Sequence, residues 1–336
     1  MKRPVVVFVA VLALCALVAP AYAQTVLKIA TLAPEGTDAV KAINAAGQEI
    51  ATATQNRVKI QVFPGGTQGK DDTILKKMKI GQIDGATFTA GGISSVYRDF
   101  QIMSLPLLFR SYDEVDHVRP QIEPVIMAGL EKAGYVPVGN IEVGFAYLMS
   151  KSPIKTLGDL KGKKIWVPEN DPISKTVFEE MGVPAIPQPI SDVFTSLKTG
   201  ILDTYANPPV GAVTLQWYTE SKYVGKKPLI YIYSTLAFAK PRFDKLSPED
   251  QATVRTVFAK HMKALDVSVR KSNDAAMQTL AKQGLQFTDV TPEGDQQMTD
   301  VAQKATTKLT SMKEFSPEMV QKVQGILDAY RKSKGQ

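Results

Sequence analysis

Few residues in this sequence have the types and spacing that catalysis requires. The chain has two histidines, His117 and His261, and neither has another histidine nearby at the spacing typical of zinc and non-haem iron sites. Glu179 and Glu180 are adjacent on a predicted helix and point to different faces, which is a poor geometry for an acid–base pair. We therefore expect no catalytic residues, no metal site and no cofactor.

The segment 65–70, GGTQGK, has the composition of a phosphate-binding loop but not its spacing. That loop needs four residues between its glycines and Ser or Thr after its lysine, whereas Gly65 and Gly69 enclose a shorter stretch and Asp71 follows Lys70. The segment therefore predicts a turn. The chain also lacks the Gly-x-Ser-x-Gly segment of many serine hydrolases.

Residues 1–23 have the pattern of a secretory signal peptide: two basic residues, an apolar run over 5–18, and Ala-Tyr-Ala at 21–23. The apolar run is too short for a membrane span. Cleavage after Ala23 would remove Cys15, the single cysteine, which excludes a disulfide, a thiolate nucleophile and a zinc–thiolate site. Leu14 stands where a lipid-modified cysteine normally needs a small residue, which disfavours a lipid anchor.

The composition is that of an ordinary globular protein, at 44% hydrophobic and 22% charged residues. The net charge of +7 comes from scattered basic residues with acids between them. Because there is no basic stripe with interleaved aromatics, we expect no nucleic-acid partner. A chain of 336 residues exceeds what one core usually serves, so two lobes are expected.

Strands and helices alternate along the first part of the chain, which predicts an α/β fold with mainly parallel sheets and helices on both faces. The predicted strands cover 26–30, 58–63 and 85–89, and the predicted helices cover 37–54 and 71–80. Ligands on such sheets bind beyond the carboxyl ends of the strands. This rule makes Glu35, Thr89 and Gly91 candidate ligand-binding residues.

A second alternating pattern begins near residue 135, and a long apolar strand near 229–239 crosses back to the first lobe. Two lobes joined by more than one crossing strand form a clamshell with a fixed hinge axis. We assign residues 24–143 and 232–271 to lobe I, and residues 144–231 and 272–336, with the C-terminal helices, to lobe II.

Ser247, Pro248 and Glu249 form a strong helix start: a capping hydroxyl, proline at the first helical position, and an acid at the positive end of the dipole. No helix breaker follows before Gly284. The helix would be about 54 Å long at 1.5 Å per residue, which predicts that it spans both lobes.

One motif carries a family resemblance: the segment 159–168, DLKGKKIWVP, with Asn207 and Pro208 about forty residues later. It resembles the signature of the extracytoplasmic solute receptors of TRAP transporters, which usually reads D-L-K-G-x-K-x-R-V-P. Four further segments occur in the family's order, namely ATLAP at 30–34, GQIDG at 81–85, ANP at 206–208 and LSPED at 246–250. The resemblance implies a type II-like periplasmic-binding-protein clamshell that captures a small solute in the periplasm. It also implies delivery to the subunits of a two-part TRAP membrane permease.

Trp166 departs from the family pattern. The family has an arginine there that receives a substrate carboxylate through two charge-assisted hydrogen bonds, whereas indole has one N–H donor. Asn207 matches the family's asparagine, and Ala146 stands where some acidic-sugar receptors have a second arginine. The resemblance therefore implies that the usual carboxylate anchors are missing.

Two hypotheses follow from this departure. In the first, Trp166 lines an apolar cleft and the ligand is hydrophobic or neutral, because burying a carboxylate without a counter-charge costs several kcal/mol. The other lining residues would be Phe145, Tyr147, Ile190 and Tyr205. In the second, Trp166 turns into the core and the chemistry of the site falls to a residue that the sequence does not identify. As an alternative function, a conventional organic-acid receptor with a rearranged anchor stays open, because Lys163 or backbone N–H groups could still hold a carboxylate.

A less-studied branch of the family is thought to bind hydrophobic ligands and to work with a helical-repeat protein, and this chain is similar to that branch. A helical-repeat periplasmic partner is therefore a further prediction. From other classes, a periplasmic enzyme and a chaperone-like protein with an apolar cleft stay open as alternatives.

Overall fold

The computed structural model describes residues 24–169 and 171–335. The predicted signal peptide lies outside these residues. The described strands form one continuous sheet. They are β1 (Thr25–Ala30), β2 (Val58–Phe63), β3 (Gly85–Thr89), β4 (Tyr135–Ser150), β5 (Ile165–Pro168), β6 (Ala185–Gln188), β7 (Thr204–Asn207), β8 (Tyr223–Ala239) and β9 (Gln286–Thr288).

The sheet is parallel towards its two ends and antiparallel in the middle. Its order is β2-β1-β3-β8-β4-β7-β5-β6, with β9 paired to β8. β1 runs parallel to β2 and β3, and β5 runs parallel to β6 and β7. The long strands β4 and β8 pair antiparallel and join the two halves. The expected parallel sheets are thus the two ends of a single mixed sheet.

Helices cover both faces of the sheet. They are α1 (Asp38–Ala53), α2 (Asp71–Lys79), α3 (Ala90–Ser94), α4 (Tyr112–Lys132), α5 (Pro172–Glu180), α6 (Ile190–Thr199), α7 (Pro209–Thr214), α8 (Lys240–Phe243), α9 (Pro248–Lys282), α10 (Pro292–Ser311) and α11 (Pro317–Ser333). Short 3-10 turns connect some of them, at Arg98–Ser104, Leu157–Leu160 and Trp217–Glu220.

The long helix α9 begins where the sequence predicts. The Ser247 hydroxyl accepts a hydrogen bond from the backbone N–H of Asp250 at 3.1 Å, and Pro248 is the first helical residue. The helix has 35 residues and packs on α1 and β4 at one end and on α7 at the other. It therefore lies across both lobes, as expected.

The last helix, α11, packs on lobe I rather than on lobe II, where the sequence-based boundaries place it. Val323 and Leu327 are buried in the lobe I core. The Arg331 guanidinium donates to the Glu114 carboxylate on α4 at 2.7 Å and to the backbone carbonyl of Leu108 at 2.7 Å. Residues 317–333 thus return to the first lobe, because their apolar face matches α4 there.

No helix in the part of the chain that the structure describes is long and apolar enough to cross a membrane.

Candidate functional site

Three parallel strands of lobe II end at the same edge of the sheet. β5 ends at Pro168, β6 at Gln188 and β7 at Asn207. Tyr147 on β4 pairs with Asn207 and so lies at this edge as well. Carboxyl ends of parallel strands are where ligands bind in α/β folds, so this edge is the lobe II wall of the candidate site.

Trp166 lies two residues back from this edge and is only 6% exposed. Its ring packs edge-on against Trp217, with 5.1 Å between centroids, in a core that also contains Met149 and Tyr205. Its Nε1 donates a hydrogen bond to the backbone carbonyl of Gln188 at 3.0 Å. The indole is thus part of the lobe II interior, which is the geometry of the second hypothesis.

The other aromatic candidates are divided between cores and the edge. Phe145 is buried in the lobe I core against Tyr112 and Tyr231. Tyr205 is fully buried, and its hydroxyl accepts a hydrogen bond from the Ser221 hydroxyl at 3.2 Å. Burial raises the pKa of Tyr205, which leaves its hydroxyl neutral. Neither of these two rings forms an open cleft wall.

Tyr147, Asn207 and Ile190 remain near the lobe II edge. Tyr147 is half-buried between two cores, and Ile190 is 41% exposed at the first position of α6. Asn207 is half-buried above Gly211, where an added Cβ would lie 2.6 Å from the Asn207 Oδ1. Glycine at 211 therefore allows the Asn207 amide to lie against the start of α7.

The lobe I side of the site is polar. The Thr89 hydroxyl donates to Asp71 Oδ2 at 2.7 Å and accepts from the backbone N–H of Gly92 at 2.9 Å. Asp71 Oδ1 is buried and has no hydrogen-bond partner among the described residues. Burial raises the pKa of Asp71 to about 6, against the lowering effect of the Thr89 hydrogen bond. Asp71 Oδ1 can therefore accept a further hydrogen bond.

Gly91 and Glu35 complete the lobe I candidates. Gly91 is half-buried in α3, next to Gly92, where an added Cβ would lie 1.9 Å from Asp71 Oδ2. The absence of a side chain at 92 therefore lets the Asp71 carboxylate approach the backbone of α3. Glu35 is exposed in the turn after β1. The structure brings Thr89 and Gly91 together with Asp71 but leaves Glu35 at the rim.

One ion pair crosses between the lobes. The Lys70 ammonium, at the start of α2, contacts the Glu169 carboxylate at 2.5 Å. Glu169 directly follows β5 and Lys70 directly precedes Asp71. The pair therefore links the start of α2 in lobe I to the carboxyl-end edge of lobe II.

A second, apolar space lies on the opposite face of the lobe II sheet. It is a cavity of about 80 Å³ between the sheet, α5 and α10. Its lining includes Leu148 and Ala206 from the sheet and Leu107 from lobe I. The strand alternation turns Leu148 and Ala206 away from the face that bears Tyr147 and Asn207. The cavity is therefore separate from the polar edge.

Within residues 24–169 and 171–335, no group of three or more His, Cys, Asp or Glu side chains has the arrangement of a metal site. Four site residues were not predicted from the sequence: Lys70, Asp71, Glu169 and Gln188. Asp71 had a usable signal, because it opens a helix beside the carboxyl end of β3. Lys70 and Glu169 could not be predicted because their pairing depends on how the lobes meet. Gln188 could not be predicted because its relevance depends on the surroundings of its side-chain oxygen.

The comparison with known families decides to which family the chain belongs. The family model described as "Bacterial extracellular solute-binding protein, family 7" (DctP) matches residues 29–313. The chain belongs to this family. The resemblance drawn from the segment 159–168 is therefore confirmed, and the family is one of solute-binding receptors rather than enzymes.

Relatives of known sequence agree with this membership. The uncharacterized protein YiiZ of Salmonella typhimurium is 29% identical over 293 residues, which cover 82% of this chain and 86% of YiiZ. A 2,3-diketo-L-gulonate-binding periplasmic protein, YiaO of Escherichia coli, is 26% identical over 203 residues, covering 59% of this chain and 61% of YiaO.

Solved structures of TRAP periplasmic solute-binding proteins share the fold. That of Ochrobactrum anthropi, with its C-terminus in the ligand-binding pocket, has a TM-score of 0.82 at 24% identity and covers 93% of this chain and 97% of its own. That of Xanthobacter autotrophicus, with bound β-D-galacturonate, has a TM-score of 0.82 at 23% identity and covers 90% and 99%. The predicted two-lobe α/β fold is thereby confirmed.

Proposed function

We propose that this TRAP solute receptor binds a small hydroxylated organic acid of the sugar-acid class. The observation that carries the proposal is the buried Asp71 Oδ1, which has no partner among the described residues and lies beside the Thr89 hydroxyl. A buried acceptor left unpaired costs about 1–3 kcal/mol. A ligand hydroxyl can donate to it, and a hydrocarbon cannot.

The acid group of the ligand is matched by Lys70. The Lys70 side chain is 62% exposed and forms an ion pair with the Glu169 carboxylate. A ligand carboxylate entering between the lobes can take the place of Glu169 as its partner, so the site offers a cation although arginine is missing at 166.

Related structures support the same class of ligand. The receptor of Xanthobacter autotrophicus holds β-D-galacturonate, that of Chromohalobacter salexigens D-glucuronate and that of Advenella mimigardefordensis galactonate. All three ligands combine a carboxylate with several hydroxyl groups. This is the combination that Lys70, Asp71 and Thr89 fit.

The hydrophobic-ligand hypothesis depended on an aromatic cleft wall. Trp166 and Tyr205 belong to the lobe II core and Phe145 to the lobe I core. Without them the wall at the lobe II edge consists of Tyr147, Asn207, Gln188 and the exposed Ile190, which is largely polar. We therefore prefer the organic-acid receptor with a rearranged anchor.

A hydrophobic or neutral ligand is the second candidate, because the cavity of about 80 Å³ has an almost wholly apolar lining. A cavity that binds benzene measures about 150 Å³. The space is thus about half of what one aromatic ring needs, and an apolar ligand would have to open it.

The membrane partner follows from the same proposal. We infer that the receptor works in the periplasm, closes on its ligand and delivers it to TRAP permease subunits, without performing chemistry itself. A helical-repeat partner stays a prediction from the sequence, and a chaperone-like or enzymatic role has no observation in its favour.

Native mass spectrometry of gently purified protein tests the ligand class. We expect a single bound molecule with the mass of a hydroxylated acid, and a rise in melting temperature when galacturonate, glucuronate or galactonate is added to the emptied protein. A hydrocarbon-rich molecule bound in equal amount, with no response to the acids, would rule the proposal out.

A further inference from the structure

Gln188 has an unsatisfied side-chain oxygen at the edge of the site. Its Oε1 is buried and has no hydrogen-bond partner among the described residues. Its backbone carbonyl, in contrast, receives the indole N–H of Trp166 at 3.0 Å, and Gln188 pairs with Pro168 in the sheet. The backbone of Gln188 is therefore held in place, while its side-chain oxygen accepts no hydrogen bond.

Gln188 lies at the same edge of the sheet as Asn207. Gln188 is the last residue of β6, as Asn207 is the last residue of β7. Ile186, two residues earlier on β6, packs on the same core as Trp166 and Tyr205. Because strand side chains alternate, Gln188 lies on that same face, and so does Asn207.

A carboxamide can form a hydrogen bond with either polar group of a hydroxylated acid, the carboxylate or a hydroxyl. Rotation by half a turn exchanges its oxygen and its NH₂ group, which at ordinary resolution are assigned from partners alone. With the NH₂ group towards the space, the amide donates to a carboxylate. With the oxygen towards it, the amide accepts from a hydroxyl.

We propose that Gln188 is a ligand-binding residue that, together with Asn207, binds the acid end of the ligand in place of the missing arginine. The inference rests on the proposed function. Trp166 acts as a positioning residue, since its N–H fixes the Gln188 backbone at the end of β6. The tryptophan at 166 thereby supports a neutral anchor on the neighbouring strand.

A neutral amide anchor has a distinct consequence for specificity. Hydrogen bonds from a carboxamide are weaker than those from a guanidinium, and they are less sensitive to salt. A carboxylate and a hydroxyl of similar shape are therefore discriminated less strongly than in receptors that use arginine. Asp71 and Lys70 on the facing lobe must then supply the remaining selectivity.

The experiment compares Gln188→Leu with wild type by two readouts, and Gln303→Leu, an exposed glutamine on α10, is the matched control. The first readout is the melting temperature of the ligand-free protein. If the amide is unpaired, Gln188→Leu has an equal or higher melting temperature, because an unsatisfied buried group has been removed. A clearly lower melting temperature would mean that the amide is bonded within the protein and would overturn the inference.

The second readout is the dissociation constant for D-galacturonate as the probe. We expect Gln188→Leu to weaken binding about tenfold or more, and Gln188→Glu to weaken it further through repulsion, while Gln303→Leu leaves it unchanged. Equal affinity in wild type and Gln188→Leu would overturn the inference. If wild type itself ignores the sugar acids, the proposed function fails, and the melting temperature still decides whether the amide is free.

Discussion

The indole Nε1 of Trp166 donates a hydrogen bond to the backbone carbonyl of Gln188, 3.0 Å away. This contact ties the end of β6 to β5 inside lobe II. It also accounts for the single polar atom of the indole, which would otherwise be buried without a partner. Trp166 is therefore a structural support inside lobe II.

Replacing Trp166 by Phe tests this support. The change removes the donor to the Gln188 carbonyl and reduces the ring that packs on Trp217. We expect the free energy of unfolding to fall by about 2 kcal/mol, since the half-buried carbonyl of Gln188 loses its partner and the smaller ring packs less well. Chemical denaturation measures this quantity. A loss below about 0.5 kcal/mol, the range of ordinary surface changes, would contradict the role assigned to the indole.

The ion pair between Lys70 and Glu169 predicts how the empty receptor divides between open and closed forms. Exposed ion pairs contribute about 0.2–1 kcal/mol, enough to change a population ratio about 1.4- to 5-fold. Lys70→Glu or Glu169→Lys alone should favour the open form, and the double exchange should restore closure. Small-angle scattering of ligand-free protein checks this through the radius of gyration. Identical radii for wild type and both single variants would show that the pair has no part in closure.

The buried carboxylate of Asp71 predicts a pH-dependent stability. Burial raises its pKa to about 6 in the folded protein, above the value of about 4 in an unfolded chain. The folded state then binds more protons than the unfolded state, so this contribution to stability is present below pH 4 and is lost as the pH rises through 6.

Asp71→Asn removes this titrating group, so a comparison of the variant with wild type measures its contribution to stability. The free energy of unfolding of the variant, relative to wild type, should increase by about 2 kcal/mol between pH 4 and pH 7. Asp266, whose pKa burial also raises to about 6, is present in both proteins and cancels from the difference. A difference that does not change across this range would contradict the burial of the Asp71 carboxylate.

The packing of α11 on lobe I predicts that a substitution at Arg331, far from the site, strongly lowers the stability of the protein. Arg331→Ala leaves the buried Glu114 carboxylate without its guanidinium partner. Breaking a buried pair in this way costs about 3 kcal/mol or more. The neighbouring exposed residue offers a control, Lys332→Ala, which should change stability by less than about 0.5 kcal/mol. Similar unfolding curves for the two variants would argue against this packing.

Local signals in the sequence account for much of the fold. The strands β2 and β3 have the predicted bounds, because turn residues directly follow β2 and directly precede β3. The start of α9 at Pro248 follows from its cap. The pairing of β4 with β8 into one sheet and the return of α11 to lobe I depend on contacts between distant segments, which no local pattern encodes.

The candidate site was harder to predict than the fold. Strand alternation gives the face on which Trp166 and Asn207 lie, but not the depth of each along its strand. Asn207 ends β7 and stays at the edge, whereas Trp166 lies two residues inside β5 and packs on Trp217. The importance of Gln188 emerges only from its buried side-chain oxygen, which has no partner among the described residues and can be recognised only in the folded structure.

Calorimetric titration tests the central proposal most directly. The emptied protein is titrated with D-galacturonate, D-glucuronate and D-galactonate, each compared with an uncharged sugar or polyol of the same size. We predict saturable binding of one molecule per chain for at least one acid, and affinity at least tenfold lower for its uncharged counterpart. Equal binding of the uncharged compounds, or no binding of any acid alongside tight binding of an apolar compound, would contradict the account.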